Sequence, residues 1–190
     1  VRPGMEGDDI LGTLAQIGSD SGMEVIISTG DKDMAQLVNN SVVLEDSFKM
    51  IVLDTMGVVN RFGVYPSQIA DWLALVGDRA DGIQGVNGVG KGTATDLLGH
   101  YGSLEQIKAN AANIPGKVGK HILAGLPTLD LDRKLTGIVT DLDLKVDIDD
   151  LALKPSCDNL LKTLYAKLGR EDLVRGLERN RDYVDFLGSF

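Results

Sequence analysis

Six glycines fall within the sixteen residues from Gly77 to Gly92, GDRADGIQGVNGVGKG, and no other stretch constrains the fold as strongly. Glycine inside a helix or strand costs about 0.5–1 kcal/mol relative to alanine, so neither element propagates through this segment. It is read as a loop with different material on each side. Before it, MEVIIS (23–28), SVVLED and FKMIVLD are short β-branched runs read as strands, the first of them buried. Helical spacing of Ile10, Leu11, Leu14 and Ile17 predicts a helix over 6–17, and Met34, Leu37 and Val38 predict a short one. TMGVVNRFG opens at Asp54-Thr55 and stops at Gly63, as a capped helix does. PSQIADWLALVG is a further helix with Pro66 at its start and Trp72, Leu73 and Val76 as core. After the loop, TATDLLGHYG, then SLEQIKANAANI opened by Ser103, read as helices. Residues 116–145 read as helical and then extended, with TGIVTDLDL a late strand. Two amphipathic helices, CDNLLKTLYAKLG and EDLVRGLERNRDYVDFL, follow an acidic linker at 147–155. Strands alternating with helices, then helices alone, predict an α/β fold with a mostly helical second half.

Bulk properties narrow the class further. With 190 residues, 43% apolar and 25% charged, the chain reads as one ordinary globular domain or a domain with a small appendage. No run of 18 apolar residues exists, so no membrane partner is expected. VRPGMEGDDI has neither an initiator Met nor a signal pattern, and is read as the start of a fragment. The single cysteine, Cys157, excludes an internal disulfide. A net charge of −9 argues against a nucleic-acid partner, but the charge is unevenly spread. Residues 126–160 hold eight acids against four bases, whereas 78–120 hold four acids against five bases.

Three acid clusters stand out: Glu6, Asp8 and Asp9 in EGDD, Asp31 and Asp33 in GDKD, and Asp78 and Asp81 in GDRAD. Taken singly, the first suits a helix N-terminus and the others suit turns. Taken together they point to a site. Asp31 and Asp33 lie at the carboxyl end of a predicted parallel strand, where open α/β sheets place their ligands. Asp78 and Asp81, spaced i, i+3, share a face if their turn is helical. Seven clustered carboxylates repel one another unless cations lie between them. Oxygen donors without His or Cys select Mg²⁺ or Mn²⁺. Two such ions are the apparatus for in-line phosphodiester hydrolysis, one activating water and the other stabilising the leaving oxygen.

Gly85, Gly90 and Lys91 also satisfy G-x-x-x-x-G-K, the opening of a nucleotide kinase's phosphate loop. That loop requires a buried strand immediately before its glycines, and here GDRADGIQ and a predicted helix stand there instead. The other readings are a tight turn whose following helix offers free N–H groups to a DNA phosphate, or a glycine cap without function. His100 and His121 are isolated and read as surface or packing residues.

The motifs in this order resemble the 5′-nuclease superfamily, in particular the 5′→3′ exonuclease domain of bacterial DNA polymerase I. GMEGDD, STGDKDMAQLV, FGVYPSQIADWLALVGDRADGIQGVNGVG and IVTDLDL carry the resemblance over almost the whole chain. Gly7, Gly82 and Gln84 stand where the family usually has Ala, Asn and Pro, and the lysine of its glycine loop falls one place early, at Lys91. The resemblance implies a PIN-like parallel-sheet core, here incomplete, followed by a helical region containing a helix–hairpin–helix. It divides the chain into 1–76 (nuclease core), 77–146 (hairpin region and return strand) and 147–190 (linker and helices). Glu6, Asp8 and Asp9 would serve one metal site, and Asp31, Asp33, Asp78 and Asp81 the other, with Lys32 between ligands. The second site is expected to be the better preserved, because the family's earlier Asp-bearing strand and basic arch are not in this sequence. Two Mg²⁺ or Mn²⁺ ions would serve the complete domain, with K⁺ at the hairpin. Gly88, Gly90, Lys91, Gly92 and Thr93, helped by Lys117 and Lys120, would grip DNA. The implied activity is cleavage of 5′ flaps or ends in nicked or branched duplex during replication and repair. The implied protein is monomeric, cytoplasmic and nucleoid-associated, with fusion to a polymerase left open. A non-catalytic, structure-selective DNA-binding fragment is the alternative.

Overall fold

A computed structural model describes residues 5–46, 49, 51–152 and 158–177. Phe48 and Met50 of one predicted strand, Cys157, and the last predicted helix beyond residue 177 lie outside the described residues. The chain divides into two compact units, Val1–Ile148 and Asp149–Phe190.

In the first unit a helix, α1 (Gly7–Asp20), leads into a three-stranded sheet of β1 (Val25–Ser28), β2 (Val42–Asp46) and β3 (Ile51–Leu53). β1 and β2 are parallel, with Val25 opposite Val42, and β2 and β3 are antiparallel, with Leu44 opposite Leu53. A parallel pair needs a crossover, and a 3₁₀ turn at Asp33–Leu37 provides it where a short helix is predicted. β1 is less buried than expected: Ile27 points into the core, but Ile26 is exposed. A strand on one edge of the sheet has one face and one edge without cover, and alternation sends every second residue outward.

Helix α2 (Thr55–Phe62) is capped as its sequence predicts. The Gly57 amide donates to Asp54 Oδ1 at 2.7 Å, and Gly63 ends the helix in the left-handed conformation. After a 3₁₀ turn at Pro66–Gln68 comes α3 (Ile69–Val76), the centre of the core. Ile69, Ala70, Trp72, Leu73, Ala74 and Leu75 are all buried, so this helix is packed nearly all round. Full burial of each large apolar side chain is worth about 1.5–3 kcal/mol, which makes α3 the main anchor. Trp72 packs edge-on against Phe62 at 5.8 Å and donates its indole N–H to Thr95 Oγ1 at 3.2 Å.

The helical part comprises α4 (Lys91–Tyr101), α5 (Leu104–Ala109, capped by Ser103) and the 21-residue α6 (Gly116–Thr136). Leu98, Ile107, Ile122 and Leu129 from these helices are completely buried. Helix α4 begins two residues earlier than its sequence suggests, so Lys91 and Gly92 are its first residues.

One expectation is overturned: in TGIVTDLDL (136–144), Thr136 ends α6 and residues 137–144 join no strand ladder among the described residues, with Leu144 N–H donating back to Leu142 C=O at 2.9 Å. Side chains take the place of a partner strand. Ile138 N–H donates to Gln36 Oε1 and Val139 N–H to Asp9 Oδ1, both at 2.9 Å. Leu142 N–H donates to Thr13 Oγ1 at 3.2 Å, and Thr13 Oγ1 donates to Val139 C=O at 3.4 Å. These contacts satisfy backbone groups of the segment without a sheet. In the second unit, α7 (Asp158–Lys167) is amphipathic as predicted, and residues 171–177 are also helical.

Candidate functional site

Two turns bring acids from distant parts of the sequence to one place. The first follows β1. Thr29 N–H donates to Glu45 C=O at 2.9 Å, extending the parallel ladder by one residue before the chain turns away. Asp31 N–H then donates to Thr29 Oγ1, and Asp33 N–H to Asp31 Oδ1, each at 3.0 Å. This is the aspartate turn chemistry that GDKD implies, and it aims Asp33 inward, leaving its side chain 14% exposed.

The second turn follows α3. Asp78 and Ile83 exchange backbone hydrogen bonds at 2.8 and 2.7 Å, forming an isolated antiparallel bridge. The turn is therefore a tight hairpin and not helical, so i, i+3 spacing is not what places Asp81 near Asp78. Gly85 closes the hairpin against the end of α3: a Cβ there would lie 2.3 Å from Gly77 N, and its φ is +65°. Asp78 is buried, with Oδ1 accepting from Ala80 N–H at 3.0 Å, while Asp81 is exposed.

Asp33, Asp78 and Asp81 each place a carboxylate oxygen within 4.8 Å of the others. A cleft of about 270 Å³ beside them is lined by Glu6, Asp8, Asp9, Asp31, Asp33 and Asp81, with residues 135–138 along one side. All three predicted acid clusters thus meet. A larger hollow of about 660 Å³ lies under the 76–89 hairpin, but no carboxylate lines it, so it lacks the donors for the chemistry.

The electrostatics match this crowding. Burial, reinforced by Asp31 and Asp78, pushes Asp33 up to about 6 against the pull of Lys32. Burial also raises Asp8, helped by the charges of Asp31, Glu6, Asp9 and Asp81. Asp78 moves down, because the hydrogen bonds from Lys32 and Ala80 N–H outweigh its burial. Lys32 Nζ bonds Asp78 Oδ2 and lies 3.5 Å from Asp33 Oδ1. Asp33 Oδ1 is buried without a hydrogen-bond partner, and such an atom normally has one. A hard cation would satisfy it, so the oxygen-only donor set fits a hard divalent metal ion.

Asp9 has structural work as well. Its Oδ2 accepts from Glu6 N–H at 3.4 Å in a capping box, and its Oδ1 holds the 139 amide. Gln36 was not anticipated from the sequence. Its Nε2 donates to Asp33 C=O at 2.9 Å and to Thr136 C=O at 3.0 Å, tying the acid turn to the end of α6. No local pattern marks it, since the partners it ties to the acid turn, Thr136 and Ile138, lie 100 and 102 residues away.

The glycine segment folds as a turn before α4. Val89 N–H donates to Val86 C=O at 2.9 Å, and Gly88 has φ +81°. A Cβ on Gly88 would meet His121 Nδ1 at 2.3 Å, so the glycine allows the turn to lie against α6 and makes His121 a packing residue. Gly90 caps α4 without any side-chain acceptor, leaving the first amides of Lys91, Gly92 and Thr93 without a side-chain cap. Lys91 Nζ lies 5.9 Å from the centre of the Trp72 ring, while Lys117 and Lys120 are exposed in the first turns of α6. Helix α3 and the hairpin, and not a strand, stand immediately before these glycines, which is not the setting of a nucleotide-binding P-loop.

Comparison with known proteins gives the same family for both halves. Residues 1–63 match the N-terminal resolvase-like domain of the 5′-3′ exonuclease family, and residues 64–159 its C-terminal SAM fold. A 5′-3′ exonuclease of Aquifex aeolicus is 36% identical over 177 residues, which are 93% of this chain and 60% of that protein. DNA polymerase I of Pseudomonas aeruginosa is 41% identical over 174 residues, 87% of this chain but 19% of the polymerase. The chain thus spans well under the full length of these relatives. A crystal structure of the bacteriophage T5 flap endonuclease, a pseudo-enzyme-product complex with DNA and metal ions, shares the fold at TM-score 0.68 and 20% identity, covering 74% of this chain and 52% of its own. Matched through both of its halves, and with its acids gathered where two turns meet, the chain belongs to the 5′-3′ exonuclease family.

Proposed function

We propose that the chain acts in a divalent-metal-dependent 5′→3′ exonuclease or flap endonuclease that hydrolyses phosphodiester bonds of DNA in replication and repair. The observation that carries this reading is the convergence of Asp33, Asp78 and Asp81 within 4.8 Å, beside a cleft lined by the remaining acids. Asp31, Asp33, Asp78 and Asp81 hold one Mg²⁺ or Mn²⁺, and Glu6, Asp8 and Asp9 contribute to a second. Bound there, the ions supply water activation and stabilise the leaving oxygen. The carboxylates position the ions and do not attack the phosphate themselves. The T5 relative's complex with DNA and metal ions supports both partners.

DNA is gripped by the segment 77–146. The free amides at the start of α4 take a backbone phosphate, with K⁺ an additional ligand of the hairpin, and Lys91, Lys117 and Lys120 add charge. Such contacts carry no sequence information, so recognition follows the shape of a flap, nick or branch. The fused arrangement of the Pseudomonas relative supports a place beside a polymerase. The protein works as a monomer in the nucleoid.

Cleavage of a 5′-flap duplex in Mg²⁺, abolished by EDTA and by Asp78→Ala, tests this function. If branched DNA binds but no cleavage occurs in Mg²⁺ or Mn²⁺, the chain is a DNA-binding module alone.

A further inference from the structure

Lys32 occupies an unusual place for a lysine. It stands between Asp31 and Asp33 in the sequence, yet its ammonium reaches 46 residues away to bond Asp78 Oδ2, with Asp33 Oδ1 3.5 Å off. We propose that the Lys32 ammonium is the resident counter-cation of the Asp33–Asp78 pair, and that a divalent ion enters this site by exchange with it, so that Lys32 sets the metal affinity. This rests on the metal-centre reading of the same cleft.

The geometry requires exchange and not coexistence. The oxygens of Asp33, Asp78 and Asp81 lie within 4.8 Å of one another, and a divalent ion binds such oxygens at about 2.0–2.6 Å. An ion among them would lie in contact with the ammonium, and two cations at that distance repel strongly in a partly buried site. One must leave. The Asp78 side chain is 6% exposed and held by the Ala80 amide, so it does not follow. The Lys32 side chain is 40% exposed and can swing into solvent without unpacking the core. Without either cation, the buried Asp78 and half-buried Asp33 carboxylates face each other unpaired, which is costly. The lysine therefore keeps the metal-free protein folded and weakens every incoming ion by the same attraction.

Calorimetric titration of the full chain with Mn²⁺, after EDTA treatment and without DNA, tests the exchange. Lys32→Met is expected to bind Mn²⁺ about tenfold more tightly, since the competing charge is gone. The variant is also expected to melt at a lower temperature in EDTA and to gain more from added Mn²⁺. Lys32→Arg keeps the charge and should stay close to the parent. Lys49→Met, which breaks a lysine pair with Asp46 outside the cleft, should leave Mn²⁺ affinity unchanged. If Lys32→Met does not fold in EDTA, Mn²⁺-driven refolding followed by circular dichroism reads the same affinity. Equal or weaker Mn²⁺ binding by Lys32→Met, with native circular dichroism, overturns the exchange. Absence of Mn²⁺ binding in parent and variant alike overturns the metal centre as well, so the two failures are distinguishable.

Discussion

The acid cleft and the glycine hairpin are built on opposite principles. On the proposed function the working atoms of the cleft are side chains, delivered by the start of α1 and by the turns after β1 and α3, and burial with neighbouring carboxylates pushes Asp8 and Asp33 toward the protonated form. At the glycine turn the same reading assigns the work to backbone amides, and Gly88 lacks a side chain so that the turn can lie against His121 of α6. Asp33 can therefore be replaced by its amide with little change in shape but a large change in chemistry. Gly88, left-handed and against His121, can be altered only by changing the shape.

The largest effect that sharpens this contrast is expected from Asp33→Asn. Its carboxyl lies near 3.8 when unfolded and near 6 when folded, so the folded chain holds the extra proton between these values. Stability of the metal-free protein accordingly falls as pH rises through this window, and the full cost remains above it. Asn removes that cost. Thermal melts in EDTA at pH 7 should rise by a few degrees, and the slope between pH 4 and 6 should flatten. Mn²⁺ binding followed by calorimetry should at the same time weaken by about 100-fold or more. A variant that binds metal as well as the parent would remove Asp33 from the centre.

Gly88→Ala should show the reverse pattern. The added Cβ meets His121 Nδ1, and the backbone is left-handed, so about 1–3 kcal/mol of strain enters the turn. Fluorescence anisotropy should show branched-DNA binding about tenfold weaker, with Mn²⁺ affinity unchanged. A loss of metal binding instead would mean that the two regions do not act separately.

Much of this was legible in local strings, because caps and turns are local devices. Asp54 and Gly63 bound α2, Ser103 opens α5, and GDKD forms the turn its residues favour. What sequence reasoning missed is non-local. TGIVTDLDL (136–144) reads as a strand, but Gln36, Asp9 and Thr13 satisfy its amides at 138, 139 and 142, and no spacing announces that. A shared face for Asp78 and Asp81 is conditional on a helical turn, and the bridge to Ile83 makes the turn a hairpin. The hairpin brings the two acids together instead, because it is equally tight.

The smallest effect lies in the exposed lysines of α6. Replacing Lys117 and Lys120 together by Ala should weaken DNA binding only several-fold and lower the salt slope by about 2, measured by anisotropy across ionic strength. An unchanged slope would take these residues off the DNA.

Helix α6 has one more consequence. It begins beside the hairpin, with His121 against Gly88, and ends at Thr136 on the wall of the acid cleft. At 1.5 Å per residue, the stretch from Lys117 to Thr136, which contains Pro127, spans at most about 28 Å, the length of about eight base-pair steps. On the proposed function, where the strand is cut relative to where the duplex is held is measured out by the residue count of a single helix.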